Sequence, residues 1–405
     1  MAQYGSPIPV LWGTHRVSTN LLDYFGYHST GSGKGGVTGS KTGKSGNYSA
    51  NVALGFCVGP AGPRPNNSIW LDAGVTNTNR VPLNFFAGYD GQPADQTFLS
   101  SSPNTPVVGY SGLCYATATP MQFGQAGVLP NLSVEINGFR TGTAGNNTEV
   151  IVDASPALIV YDMLYDPRVG IGFPGVPADP SLFQTYCQAA LFGFSLLCDR
   201  QQPTSRWIEE VLELTSSAVV WSSGRLMFIP YSTEQLDNND AVYYPNLTPV
   251  ANLTDDDFIP WSVGTSHQVG EKDVVLATRN DVSQLTNWLT LEIMYRPYWY
   301  DPLVQPPTFD QASIELYGVR NIATVQAHEV CTQTVGGNVA STMLKRRHTL
   351  RRTYKFKVGI RWMLLEPMDI VTITDPTYLT QFNVRLTAVE EDEGGVLTIT
   401  AEDLV

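Results

Sequence analysis

Lysine and arginine are scarce in this chain: 24 stand against 37 aspartates and glutamates, a net charge of −13 over 405 residues. The shortage argues against duplex-DNA affinity as a main activity, because neutralising phosphates takes a surplus of cations. It leaves open a surface along which DNA slides without sticking. Long apolar runs are missing too. Nothing approaches the roughly 20 apolar residues of a spanning helix, and the opening MAQYGSPIPVLWG lacks the basic start and the apolar stretch of about 7–15 residues of a secretory leader. The expectation is synthesis in the cytoplasm without a membrane span. Cysteines number five (Cys57, Cys114, Cys187, Cys198, Cys331) with no C-x-x-C spacing. Each lies in an apolar context, which predicts buried thiols, and the odd count weakens a disulfide-stapled design.

Signatures of catalysis are equally sparse. The five histidines (His15, His28, His267, His328, His348) are scattered singly. His328-Glu329 is followed by Val-Cys-Thr, so the H-E-x-x-H zinc pattern fails, and no G-x-S-x-G elbow occurs. A pair of carboxylates for glycoside hydrolysis is assembled in space, so an abundance of acids decides nothing. No catalytic, metal or cofactor residue is assigned, and no cofactor is expected.

What is present describes a β-rich α+β chain of several domains. Hydrophobic residues make up 42%, with 36 glycines and 27 prolines, a folded and turn-rich composition. Residues 1–150 read as strands and loops: Ile8–Tyr27 as two extended runs joined at Gly13, then Tyr48–Pro60, Ser68–Asp72, Val107–Ala118 and Val128–Ile136. Residues 151–265 read as an α+β module. Ser155-Pro156 opens a helix, Asp179-Pro180 a second, Ser205 a third, and AVVWSSGRLMFIPY makes a hairpin. Asp255, Asp256 and Asp257 read as a helix start or a solvated turn, since calcium loops alternate their carboxylates. Residues 266–405 return to β: Asn287–Tyr295 and Phe309–Ile322 are expected strands, Asn338–Leu350 a helix, and Tyr354–Trp362, Leu365–Thr374, Val384–Val389 and Val396–Thr400 strands.

The tract STGSGKGGVTGSKTGKSGN (Ser29–Asn47) imitates a phosphate loop. That loop needs G-x-x-x-x-G-K-[ST], so that backbone N–H groups wrap the phosphates. After Gly33-Lys34 comes Gly35, with no hydroxyl; five residues before Gly43 stands Thr38. The residues after Ser45 alternate as a strand where the motif demands a helix. The tract therefore reads as a mobile hairpin tip carrying Gly33, Lys34, Lys41 and Lys44.

One basic block stands out: Lys345, Arg346, Arg347, Arg351, Arg352, Lys355 and Lys357. It reads as a solvated helix face leading into a charge-protected strand, or as a patch facing another subunit or a lumen; nucleic-acid binding is a third reading.

Several segments carry a family resemblance. Ile8–Val17 ending in G-T-x-R-V, Gly31–Gly36, and Tyr48–Pro60 resemble the opening of phage tail-tip hub proteins, the lambda-type tip attachment protein J and gene-transfer-agent baseplate hubs. SPALIVYDMLYDPRVGIG (Ser155–Gly172) resembles their N-P-A-x-x-x-Y-D-L-L-x-x-x-R-x-G-x-G segment, with Ser for Asn. LEPMDIVTIT (Leu365–Thr374) resembles their L-x-P-G-D-x-V turn, with Met368 where the family has glycine. The chain ends at Val405, without the long C-terminal extensions of lambda J. The resemblance implies small tube-like β-barrels beside the α+β module, in a non-enzymatic homotrimeric hub of the virion tail tip. It further implies partners in the tail tube, the tape-measure protein and a central spike or fibre, with DNA passing unbound during genome ejection. A tail-associated wall hydrolase and a carbohydrate-binding adhesin, the latter favoured by YRPYWYDP (Tyr295–Pro302), are the alternatives.

If Ser29–Asn47 is no phosphate site, ATP leaves the thermal midpoint where it was. A rise that vanishes in Lys34→Ala or Lys44→Ala would reinstate the nucleotide reading.

Overall fold

A computed structural model of the chain describes residues 7–30, 47–64, 69–71, 74–76, 81–101, 108–125, 127–144, 152–175, 179–222, 224–238, 240–261, 274–279, 281, 285–349, 352–375 and 379–404. Among them no helix is long and apolar enough to cross a membrane. The architecture is β-rich and divided among several small sheets.

Near the N-terminus two sheets face each other. Thr14–Ser18, Leu132–Asn137, Ile69–Leu71 and Gly74–Thr76 follow one another in the first, with Gly62–Pro63 also on Leu132–Asn137. Asn20–Thr30, Asn47–Val58, Leu113–Gly124 and Asn84–Phe86 form the second. Alternation along each strand sends Val17, Val134 and Ile136 from one sheet, and Val52, Leu54 and Cys114 from the other, into a shared core. Asn20–Thr30 and Asn47–Val58 pair out to Thr30↔Asn47, so residues 31–46 join the two ends of a hairpin. Gly33, Lys34, Lys41 and Lys44 themselves lie outside the described residues.

A second core gathers Trp12 with residues from 144–243 and 289–344. Its helices are Pro156–Tyr165, Ser181–Ala189 and Thr204–Leu214; the hairpin Ser217–Ser222/Arg225–Pro230 follows. Against them pack the strand Leu291–Tyr295, between Asp301–Val304 and Val325–Ala327, and the long helix Gln333–Thr349. Ser155 occupies the expected N-cap position, but its hydroxyl makes no capping bond and is buried without a partner. Pro156 at the first turn carries the helix start instead.

A third core lies on a six-stranded sheet ordered Ala251–Leu253, Ile370–Asp375, Leu379–Glu391, Leu397–Asp403, Arg352–Val358, Val275–Arg279. Its two outer strands do not pair with each other among the described residues, so this sheet is open, where tube-like closed barrels were expected. Its first strand is three residues long and pairs in parallel. Asp255–Asp257 is one 3-10 turn closed by a capping box with Thr254, as a helix-start reading requires.

Three expectations change. Phe309–Ile322, expected as a strand, holds the helix Gln311–Tyr317: Asp310 accepts from the Ser313 N–H at 2.8 Å and Gly318 (φ +72°) ends it. The long helix begins at Gln333, five residues before Asn338, because Gly336 and Gly337 are tolerated inside it. At Gly336 a Cβ would stand 2.4 Å from the Gln305 amide nitrogen, so a larger residue there would have to displace that side chain. Third, Met368 adopts φ +75°, so the turn made with glycine in the resembling family persists here with a buried methionine. Its N–H donates to the Leu386 carbonyl at 2.7 Å.

Gly13 joins the first two cores. It has φ +71°, and an added Cβ would meet the Ser195 hydroxyl at 2.6 Å and the Phe194 carbonyl oxygen at 2.7 Å. Left-handed backbone costs an L-residue about 1–2 kcal/mol, and overpacking typically adds about 1–3 kcal/mol. Gly13→Ala is therefore expected to lower unfolding free energy by several kcal/mol in a denaturant titration, whereas Gly62→Ala, with nothing near the added carbon, stays close to wild type.

Candidate functional site

Titratable groups converge at two places. The first is the buried node under Gly13. Asp153, fully buried, accepts a hydrogen bond from Ser195 Oγ (2.7 Å) and pairs with Arg296 Nη2. Ser195 Oγ in turn accepts from the Thr14 N–H at 2.9 Å. Arg296 Nε donates to Tyr300 Oη (3.0 Å), which donates to Glu135 Oε1 (2.7 Å). One turn away, Trp12 Nε1 (3.1 Å) and the Arg140 guanidinium (2.9 and 2.6 Å) hold the Asp162 carboxylate. Burial raises the Asp153 pKa, and the Arg296 charge opposes the rise. Burial tends to lower the Arg296 pKa, but Asp153 reverses this and holds the guanidinium charged.

A Ser–Asp pair beside an arginine invites comparison with acyl-transfer chemistry, but the geometry is closed. Ser195 is fully buried and its hydroxyl proton goes to a carboxylate, with no histidine between. His15, its ring tilted against that of Tyr300 at 4.6 Å, is kept neutral by burial, its pKa pulled down to about 4. Elsewhere, His28 Nε2 lies 3.0 Å from Ser49 Oγ and Nδ1 2.8 Å from the Gly26 carbonyl oxygen, which is base-and-nucleophile spacing. Ser49 is 2% exposed, on a strand flanked by two others, where a substrate carbonyl has no approach. Both arrangements act as structural hydrogen bonding.

The second place is a cleft of about 400 Å³ where the α+β helices, the long helix and the six-stranded sheet meet. Here the basic block is largely spent on ion pairs within the chain. Lys345 Nζ reaches Glu234 Oε2 (2.5 Å) and Arg347 Nη2 reaches Glu213 Oε1 (2.9 Å). Arg346 forks onto Glu402 at 2.7 and 2.8 Å, the bidentate geometry a planar guanidinium favours. The same guanidinium stacks on the Tyr231 ring at 3.8 Å, and Arg385 lies over that ring at 5.5 Å while donating to the Tyr231 carbonyl at 2.8 Å. Burial lowers the Arg385 pKa. Lys355 and Lys357, two apart on one strand and so on one side, both approach the Trp261 ring, at 5.9 and 4.7 Å. Arg352 is exposed and bonds the Tyr354 hydroxyl. The helix is described to Thr349, and Arg351 lies outside the described residues.

The block thus splits: Lys345 and Arg346 line the cleft, Arg347 pairs with Glu213, and Lys355 and Lys357 approach Trp261. The sequence missed Tyr231, Arg385 and Glu402 as their partners, since nothing local announces a contact more than 50 residues away in the chain; Arg346 and Glu402 are separated by 56. Of YRPYWYDP, Tyr298 (60%) and Trp299 (50%) are exposed and Tyr300 is buried.

Comparison with known proteins bears on this region. A family model described as "Putative phage tail protein" matches residues 203–389, just under half of the chain. No curated protein matches by sequence. A chain from the virion of a native gene transfer agent (GTA) particle shares the fold, with TM-score 0.71 at 15% identity over 100% of this chain and 85% of that one. Weaker matches are the 43 kDa tail protein of prophage MuSo2 from Shewanella oneidensis (TM-score 0.37, 10% identity, 98% of each chain) and prophage tail protein gp18 from Listeria monocytogenes EGD-e (0.33, 11%, 88% and 84%). Residues 203–389 are therefore similar in sequence to phage tail proteins, and the whole chain has the fold of a GTA virion component.

Glu329 is the titrating group of the first node, its backbone carbonyl accepting from the Ser195 N–H at 2.7 Å. Burial pushes its carboxyl pKa up to about 7 from 4.5. A raised carboxyl pKa means the folded chain keeps a proton that the unfolded chain releases, so stability falls as pH climbs from about 4.5 to about 7. Glu329→Gln should match wild type near pH 4 and gain on the order of 3 kcal/mol by pH 8. An equal difference at both pH values in urea titrations would show that Glu329 is not the group.

Proposed function

We propose that this chain is a structural subunit of a phage-type tail, and that it works as the hub of the tail tip. The observation that carries the reading is the fold shared along the whole chain with a GTA virion component, joined by the tail-family match over residues 203–389. The ordered sequence resemblance at Ile8–Val17, Ser155–Gly172 and Leu365–Thr374 narrows it from tail protein to hub.

In this reading three copies form a ring that joins the tail tube above to a central spike or fibre below. The ring closes the tube until infection and opens it as the genome leaves. Two properties of the chain support such work. A net charge of −13 repels passing DNA phosphates and keeps them from sticking. Apolar side chains stand exposed at Ile360 (50%), Met363 (64%) and Leu364 (86%), beside one another on the turn after Arg352–Val358, as a surface awaiting a protein neighbour would have them.

A glycan-binding reading has one observation in its favour, the exposed Tyr298 and Trp299 on a turn where Trp299 and Tyr300 both hold positive φ (+60° and +63°). Aromatic faces of this kind stack on sugar rings. A glycan array separates it from the hub reading.

The hub reading predicts a trimer in the particle. Labelling of intact particles with an antibody to this chain should mark one end of the tail, and native mass spectrometry of the released complex should give three copies. Sixfold or single-copy stoichiometry would sink the hub and leave the broader tail assignment standing.

A further inference from the structure

The cleft is bounded by two bodies of different make. The helix Gln333–Thr349 belongs with the α+β helices: Val335, Val339, Met343 and Leu344 share their core. The six-stranded sheet has a core of its own, and the two clusters have no residue in common. Polar contacts cross the boundary: the forked Arg346–Glu402 pair, the Arg385 bond to the Tyr231 carbonyl, and the Arg385 guanidinium over the Tyr231 ring, on which Arg346 of the same body also stacks.

We propose that this contact is a charge-held joint that sets the angle between the sheet and the rest of the chain and can open without unfolding either side. Three features support it. First, each body keeps its own apolar core, so separation along the boundary breaks neither. Second, the cleft leaves about 400 Å³ of open space beside the contact, lined in part by Ser232, Thr233, Ser341 and Thr342, so opening widens a space that already exists. Third, the contact is concentrated. Glu402 is buried and paired with Arg346, and Arg385 is buried beside it. Removing the one carboxylate leaves the buried Arg385 and its neighbour Arg346 without the acid they share, which favours the open arrangement.

The chain crosses the boundary at residues 244–250, 280–288 and 350–351, so the bodies remain tethered when the joint opens. Tyr231 then acts as the pad on which the arginines close, and Lys345–Glu234 and Arg347–Glu213 brace the helix end within its own body. The inference concerns the chain itself and stands whether or not it works in a tail.

Spin labels at Leu316→Cys (74% exposed, on the Gln311–Tyr317 helix) and Glu393→Cys (on the exposed turn before Leu397–Asp403) report the angle, in a Cys198→Ser background that leaves the four buried cysteines unlabelled. Pulsed electron resonance should give one narrow distance for the otherwise native chain and a broad or shifted distribution in Glu402→Gln and in Arg346→Gln. Hydrogen exchange should show both cores still protected in these variants. Unchanged distances would overturn the joint. Lost protection in Leu397–Asp403 would overturn it as well, since the pair would then hold the sheet together and not its angle.

Discussion

A single buried ion pair, Asp153–Arg296, ties together elements far apart in the chain. Its members are 143 residues apart, and it reaches the first strand through Ser195 Oγ and the Thr14 N–H, and the N-terminal sheet through Tyr300 and Glu135. Breaking such a pair by removing one partner typically costs about 3–5 kcal/mol, because the other charge stays buried. The arrangement works only because Gly13 lets the backbone pass against Ser195 and Phe194. The successive positive φ values of Trp299 and Tyr300 follow from the same constraint: the turn is held where Tyr300 can meet Arg296, Glu135 and His15.

The molecule thus has two kinds of seam. The N-terminal sheets and the α+β core meet around Trp12 and a buried polar network. The six-stranded sheet meets the same core over an open cleft. A tail subunit, as proposed above, has use for both: one seam fixes geometry during assembly and the other allows a change afterwards.

Much of this was legible in residue order. Pro156, Asp179-Pro180 and the Ser-Ser-Gly turn announced three helices and a hairpin, because caps and turns are local chemistry. Asp310 and Gly318 cap a helix just as plainly, although Phe309–Ile322 was expected as a strand. The glycine pair at 336–337 hid the true helix start, and the side chain that packs on Gly336, Gln305, lies on another segment. That residues 289–344 share a core with 154–243 has no local signature at all. For the site, composition located the basic block, but charge patterning is silent on partners: Glu213, Glu234 and Glu402 look like any other exposed acids until the fold places them.

The hairpin that closes at Thr30↔Asn47 has a practical side. Because the strands are paired to their last residues, the connecting segment leaves and returns at neighbouring points, and its length is decoupled from the core. Loop closure grows only logarithmically, about 0.6 kcal/mol for each doubling. Evolution can therefore lengthen, shorten or re-sequence that connection at almost no thermodynamic penalty, and an engineer can seat a tag or a foreign epitope there. The molecule carries its most adjustable stretch on one of its longest pairs of strands.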